Sequence, residues 1–275
     1  MMRKDRRIFV AGAGALLGSA MCKVGIALAG ADRQGPPRSK AAWEEYLRRG
    51  GNGQYTCVRT VQTTEGPFYY PSSHERRTLA EDHAGLKLRL GITVTGFAPG
   101  ARCPPLTGAV VDIWHTDASG QYSNVGSDLQ STDAIGQTFC RGHQFTDDKG
   151  YVEFDTVVPG WEVVPTPAPI VVVRRTTHIH VKVFKDRSIA TTQLYLPAPF
   201  LTELYAGTEP YRSHRLMTAP GLDRSYERIS NTKDFLFTAD RSTPMTIQRK
   251  GDTVMTTARI GVVIDDSAGH TSLWS

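Results

Sequence analysis

The chain has 275 residues, of which 40% are hydrophobic and 21% are charged. That is enough apolar material to close a core, which excludes wholesale disorder, and enough length for one large domain or two small ones. The net charge of +5 does not describe a basic surface: residues 1–31 alone carry +4 and the rest only +1, so a nucleic-acid partner loses its main support.

The first 31 residues read as an export segment. A basic stretch precedes an apolar run from Ile8 to Cys22, and Ala27-Leu28-Ala29 fits a small-x-small cleavage site. Arg6-Arg7 followed by Ile8 and Phe9 predicts the twin-arginine route, with ordinary secretion and an uncleaved anchor as alternatives. Lys23 interrupts the apolar run and argues against a membrane span. Elsewhere there is no 18-residue apolar run free of charge, which excludes a polytopic membrane protein. The expected product is periplasmic or secreted, with no stable membrane insertion once the signal is removed. Cleavage leaves Cys57, Cys103 and Cys140, enough for one disulfide and one free thiol.

Residues 32–56 form an expected arm with one surface helix, Lys40 to Arg49, stopped by Gly50-Gly51. Period-two patterning begins at Leu86, Leu88 and Leu90 and continues over residues 92–95. Further strands are expected from Ala109 to Trp114, Tyr151 to Val157, His178 to Phe184, Thr191 to Leu196, Asp234 to Thr238, Met245 to Gln248 and Arg259 to Ile264. Turn signals such as Pro99-Gly100 and Pro159-Gly160 separate them, and residues 197–233 read as loop with room for a short helix. Many short strands without alternating helices predict an all-β fold, an antiparallel β-sandwich with long loops, spanning residues 57–275 behind a short helical arm.

His178-Ile179-His180 carries the sharpest chemical signal. On a strand the two imidazoles share one face while Ile179 and Val181 face the other, which makes half of a metal site. The alternative is two structural histidines. A cupin would need a glutamate about four residues on, where Phe184 and Lys185 stand. His115 and His143 read as structural or surface residues, and Asp147 and Asp148 as turn chemistry before Gly150. Tyr69 and Tyr70 follow Gly66-Pro67 and either line a pocket mouth or pack.

Five runs occur in order: TEGPFYY, VDIWHTDASGQYS, RGHQ with TDDKGYVEFDTVVPG, RTTHIHVKV and TTQLYL. Together, over about residues 57–240, they resemble the intradiol ring-cleavage dioxygenases, the catechol and protocatechuate dioxygenase group, and most of all its exported bacterial branch. The resemblance implies a non-haem Fe(III) held by two tyrosinates and two histidines. It implies a small aromatic diol and O2 as substrates, and it is compatible with a homo-oligomer. Tyr122, His178 and His180 match three metal ligands. Arg175 matches an arginine beside the substrate, and Gln193 a glutamine near that arginine. The chain departs from the pattern at Pro159-Gly160-Trp161-Glu162, because related chains place the second tyrosine ligand where Glu162 stands. Three expectations follow. Glu162 is a hard anionic ligand in the tyrosine's place; or it is a solvent-facing loop residue and the site is incomplete; or one of Tyr69, Tyr70, Tyr151 and Tyr195 replaces the missing phenolate. The expected function is an intradiol dioxygenase; the alternatives are a binding or structural β-sandwich that has lost catalysis, which Glu162 supports, and another metal-dependent oxidoreductase or hydrolase on the same scaffold.

Overall fold

The computed structural model describes residues 59–71, 74–97, 103–165, 172–237 and 245–264, all within the compact unit Gly35–Ser275. The expected export segment, the arm with its helix, and Cys57 lie outside the described residues. Among the described residues no helix is long and apolar enough to cross a membrane.

Twelve strands follow in chain order: β1 Lys87–Phe97, β2 Val110–Trp114, β3 Arg141–Phe145, β4 Tyr151–Val157, β5 Glu162–Pro165, β6 Val172–Arg175, β7 His178–Lys185, β8 Ser188–Tyr195, β9 Leu216–Thr218, β10 Ser225–Glu227, β11 Thr246–Lys250 and β12 Thr253–Val263. Among the described residues one α-helix, α1, spans Ala198–Gly207. The strands build two four-stranded sheets, ordered β11-β12-β1-β4 and β3-β2-β7-β8, with β5-β6 and β9-β10 as separate pairs.

The two larger sheets pack as the expected β-sandwich. Leu88, Leu90, Ile92 and Val94 of β1 share one buried cluster with Val111 and Ile113 of β2 and with Ile179, Val181 and Val183 of β7. Those positions are every second residue, as a half-buried strand requires. The odd-numbered residues of β7 therefore fill the sandwich, and His178 and His180 project from the sheet's other face. Burying one such aliphatic side chain contributes about 1.5–3 kcal/mol, so a register slip that exchanged the two faces would be costly.

Three expectations need correction. The β1–β12 pair is parallel, Lys87 against Thr253 through Phe97 against Val263. The rest of the domain connects these strands, so no tight hairpin dictates their direction. Between Val157 and His178, where no strand is expected, the chain carries β5 and β6. The strand expected from Asp234 does not form: Asn231–Lys233 is a 3-10 turn, and Asp234 bonds outside any ladder. Thr238 lies outside the described residues.

Helix α1 starts after Pro197, with proline at its first turn, where the missing N–H costs nothing. It buries Leu201, Leu204 and Tyr205. Cys103 is disulfide-bonded, and Cys140 is free and buried. Burial pushes the Cys140 thiol pKa up, which makes it a packing residue rather than a nucleophile.

Candidate metal centre

The centre lies on the face of β7 turned away from the sandwich. His178 and His180 point the same way, and their Nε2 atoms are 3.0 Å apart. Both neighbouring strands hold them in place. Trp114 of β2 is the register partner of His180 and stacks on its ring, with centroids 4.7 Å apart and planes within 8°. Tyr195 and Gln193 of β8 stand opposite His178 and His180.

Tyr122 arrives on the loop after β2. Asp117 builds that loop: its Oδ1 accepts from Ser119 N and Gln121 N, both at 2.9 Å. A single amide then fixes the tyrosine backbone. Tyr122 N donates to Gln130 Oε1 at 2.7 Å, and Gln130 Nε2 donates to Tyr122 O at 2.9 Å. Buried Arg141 ties the loop to the preceding segment through Ser123 O and Phe68 O, each at 2.8 Å. Phe68, Trp114 and Val125 pack around Tyr122 in a second apolar cluster. The Tyr122 hydroxyl ends 3.2 Å from His180 Nε2.

Glu162 comes from the first position of β5, and two glycines bring it in. A Cβ on Gly160 would lie 2.5 Å from Gly120 N and 2.8 Å from Ala118 O, so only glycine lets these segments touch. Gly120 has φ +84, the left-handed region that glycine reaches freely, and a Cβ there would meet the Trp161 carbonyl. Trp161 is locked by Tyr205 of α1, whose hydroxyl accepts from its backbone N at 2.9 Å, and by His214 O, which accepts from its indole N–H at 2.7 Å. Glu162 is therefore buried at 6% exposure, which excludes the solvent-facing expectation. Its Oε1 is 4.0 Å from His178 Nε2, and its negative charge acts on the nearby Tyr122 hydroxyl.

The charge states follow from burial. Desolvation holds both histidines well below the usual imidazole range, and the neighbouring Arg175 pushes the same way. His178 is thus neutral, and its approach to Glu162 is not an ion pair. Its Nδ1 lies 2.7 Å from Thr176 O. A carbonyl only accepts, so Nδ1 carries the proton and Nε2 presents a lone pair. Burial raises the Tyr122 pKa well above 10.0, and Glu162 adds to the rise. The Glu162 carboxyl is pushed up to about 7 by desolvation, against the opposing pull of Arg175.

This arrangement fits a cation. Two imidazole nitrogens, a phenol oxygen and a carboxylate converge on buried side chains, and Glu162 Oε2 is buried without a hydrogen-bond partner. Metal bonds of about 2.0–2.2 Å meeting near a right angle would set donors about 3 Å apart. Two neutral imidazoles and two oxygen donors able to carry negative charge suit a hard, highly charged iron. Among the described residues no three His, Cys, Asp or Glu side chains are grouped closely enough by themselves to hold a metal ion.

Arg175 ends β6 and is the register partner of Glu162. Its Nη2 donates to Gln193 Oε1 at 2.6 Å and to Tyr195 OH at 3.1 Å, and its Nε donates to Asp234 Oδ2 at 2.9 Å. The structure thus brings all six sequence-nominated residues into one neighbourhood. It also engages three of the four alternative tyrosines in other hydrogen bonds, Tyr195 within this same neighbourhood. Tyr69 OH donates to Asp112, Tyr151 OH to Glu153, and Tyr195 OH to Gln193, while Tyr70 is 57% exposed. His115 is structural: its ring nitrogens meet Thr116 O and Thr156 Oγ1, and burial lowers its pKa to about 4. The sequence reading missed Asp234, Gln130, Arg141 and Tyr205. Only Arg141, inside the RGHQ run, stood in a motif.

Residues 64–206, just over half of the chain, match the family model described as Dioxygenase. The chain belongs to the intradiol ring-cleavage dioxygenase family. A chlorocatechol 1,2-dioxygenase of Rhodococcus opacus is 27% identical over 176 residues, which is 58% of this chain and 60% of that protein. A second chlorocatechol 1,2-dioxygenase, from a Pseudomonas species, is 30% identical over 145 residues, covering 48% of this chain and 53% of that protein. The chain thus spans under two thirds of the length of these curated relatives. Among solved structures, the dioxygenase domain of a dioxygenase–carbohydrate-binding fusion from Streptomyces sp. SirexAA-E is 28% identical with a TM-score of 0.50, covering 76% of this chain and 100% of that chain. An intradiol ring-cleavage dioxygenase from Tetranychus urticae shares the fold at 22% identity, with a TM-score of 0.59, covering 75% of this chain and 95% of that one.

Proposed function

We propose that the chain is a non-haem Fe(III) intradiol dioxygenase, with iron held by Tyr122, His178, His180 and Glu162. It opens a catechol-like ring between its two hydroxyl-bearing carbons with O2. The observation that carries this reading is the buried convergence of the His178 and His180 Nε2 atoms, the Tyr122 hydroxyl and the Glu162 carboxylate.

Ferric iron, when bound, supplies the Lewis acidity that draws a catechol into its dianionic form and makes its ring reactive toward O2. The chain supplies the rest. Neutral His178 offers Nε2 because Thr176 O fixes its tautomer. The Tyr122 hydroxyl must lose a proton to act as a phenolate, and Glu162 stands beside it as the acceptor. Once that proton has left to solvent, the same carboxylate, its Oε2 unpartnered, can take one proton from a substrate hydroxyl. Arg175 places a fixed positive charge by the site, where negative charge shifting onto a ring carbon is stabilised.

The test is O2 uptake and product analysis on iron-loaded protein with a panel of catechols. One O2 consumed per ring, with both atoms in an acyclic dicarboxylate, is the expected result. Stoichiometric iron with no uptake on any catechol would favour the non-catalytic sandwich, the reading that the carboxylate at the second-tyrosine position supports. The leader further supports export of the domain 57–275 by the twin-arginine route, which carries folded, metal-loaded proteins. Replacing both Arg6 and Arg7 by lysine should then retain the chain in the cytoplasm, and unchanged export would contradict this.

A further inference from the structure

The guanidinium of Arg175 is held from outside the region that matches the family model, which ends at residue 206. The Asp234 side chain is fully buried, and its Oδ2 accepts from Arg175 Nε at 2.9 Å and from Thr176 N at 2.8 Å. Its Oδ1 accepts from Leu236 N at 3.0 Å. Asn231, one turn earlier, repeats the attachment: its Oδ1 accepts from Thr176 Oγ1 and its Nδ2 donates to Leu196 O, both at 2.9 Å. Phe235 lies over the guanidinium, its ring centroid 5.2 Å from Arg175 Cζ.

We propose that Asp234 is the positioning residue of this centre: its carboxylate fixes the Arg175 fork in one pose and anchors the Thr176 peptide that orients His178. The inference rests on the proposed function for the ligand that Arg175 meets. An arginine side chain has several rotamers, and holding one of them costs rotamer entropy. Here Asp234, Gln193 and Tyr195 engage Nε and Nη2, and none of these bonds uses Nη1. Nη1 is the donor left for a bound catecholate. The second branch runs through the backbone. Asp234 holds Thr176 N, and Thr176 O holds His178 Nδ1 at 2.7 Å. One carboxylate therefore braces both the charge donor and a proposed ligand. Glu162 is the competing partner, since it faces Arg175 across the β5–β6 ladder. With Nε committed to Asp234, the Glu162 carboxylate is left to Tyr122 and His178.

The experiment compares Asp234→Ala, Asp234→Asn, Arg175→Ala and the Asp234→Ala/Arg175→Ala double variant in the full chain. Two quantities are read. One is the affinity of iron-loaded protein for a nitro-substituted catechol that resists cleavage. The other is the slowly exchanging Nε–H signal of Arg175 in 15N NMR of iron-free protein. Asp234→Ala should weaken the analogue about 10–100-fold, the range for residues that orient a metal site from behind, with iron content unchanged. It should lose the protected Nε–H signal and cost less in the Arg175→Ala background than in the wild type, because only the Thr176 branch is left to lose there. If Asp234→Ala does not fold, Asp234→Asn is read in the same way, because it keeps an oxygen acceptor and removes the charge. Wild-type affinity with a retained Nε–H signal in either variant would overturn the proposal, as would full additivity in the double variant. A wild type that binds the analogue but turns over no catechol sinks the dioxygenase reading and leaves Asp234 standing. If the wild type does not bind the analogue, the Nε–H signal alone decides.

Discussion

Glu162 and Arg175 stand directly opposite each other across the β5–β6 ladder, yet the guanidinium forms its ion pair with Asp234. The buried carboxylate is thus close enough to feel the positive charge without being claimed by it. Desolvation wins over that charge, and Glu162 stays protonated up to about pH 7 in the metal-free protein.

The contribution of Glu162 to the stability of metal-free protein should therefore fall as pH rises between about 4.5 and 7. Glu162 has a folded pKa above its ordinary 4.5, so the unfolded chain releases the proton first and gains as pH increases. The full difference corresponds to about 3 kcal/mol. Glu162→Gln removes the group. The difference in unfolding free energy between the two proteins should grow across this window and flatten above it. The buried histidines act in the opposite sense below about 6.5 in both proteins and cancel in the comparison. A difference independent of pH would contradict the burial argument.

Arg175→Ala should retain iron and lose about 10²-fold or more in turnover, as when an electrostatic donor is removed. It should also lower stability by about 3–5 kcal/mol, because Asp234 is left buried and unpaired. Arg175→Lys should restore neither in full, since a single ammonium cannot reach Asp234, Gln193 and Tyr195 as the fork does. Loss of iron along with turnover would make the arginine a structural residue. Steady-state kinetics, metal analysis and denaturant titration check the three parts.

Gly160→Ala tests how Glu162 is delivered. The added methyl meets Gly120 N at 2.5 Å, against backbone that has nowhere to shift. A cost of about 1–3 kcal/mol, the usual range for overpacking, should come with reduced iron affinity, because the strand carrying Glu162 moves away from Tyr122. Unchanged stability and iron content would show that the close approach is not required.

Much of this was legible in the sequence for simple reasons. Alternation set the two faces of β7, so His178 and His180 could be paired before any fold was known. The Gly-Gln-Tyr turn and the Pro159-Gly160 step marked where the other donors enter. Whether Glu162 was buried could not be read, because its burial depends on a glycine-to-glycine contact between loops forty residues apart in the chain. Asp234 was misread because D-F-L-F mimics a strand, while its hydrogen bonds to Arg175 and Thr176 are long-range. The parallel β1–β12 pair escaped for a related reason: strand direction across a long connection leaves no local signal.

The most direct test of the central claim is iron content and visible absorption of the purified protein and its Tyr122→Phe and Glu162→Tyr variants. One Fe(III) per chain is expected, with a phenolate-to-iron band in the wild type that disappears in Tyr122→Phe and intensifies in Glu162→Tyr. A colourless iron-loaded wild type, or a band that survives in Tyr122→Phe, would contradict a centre built from Tyr122, His178, His180 and Glu162.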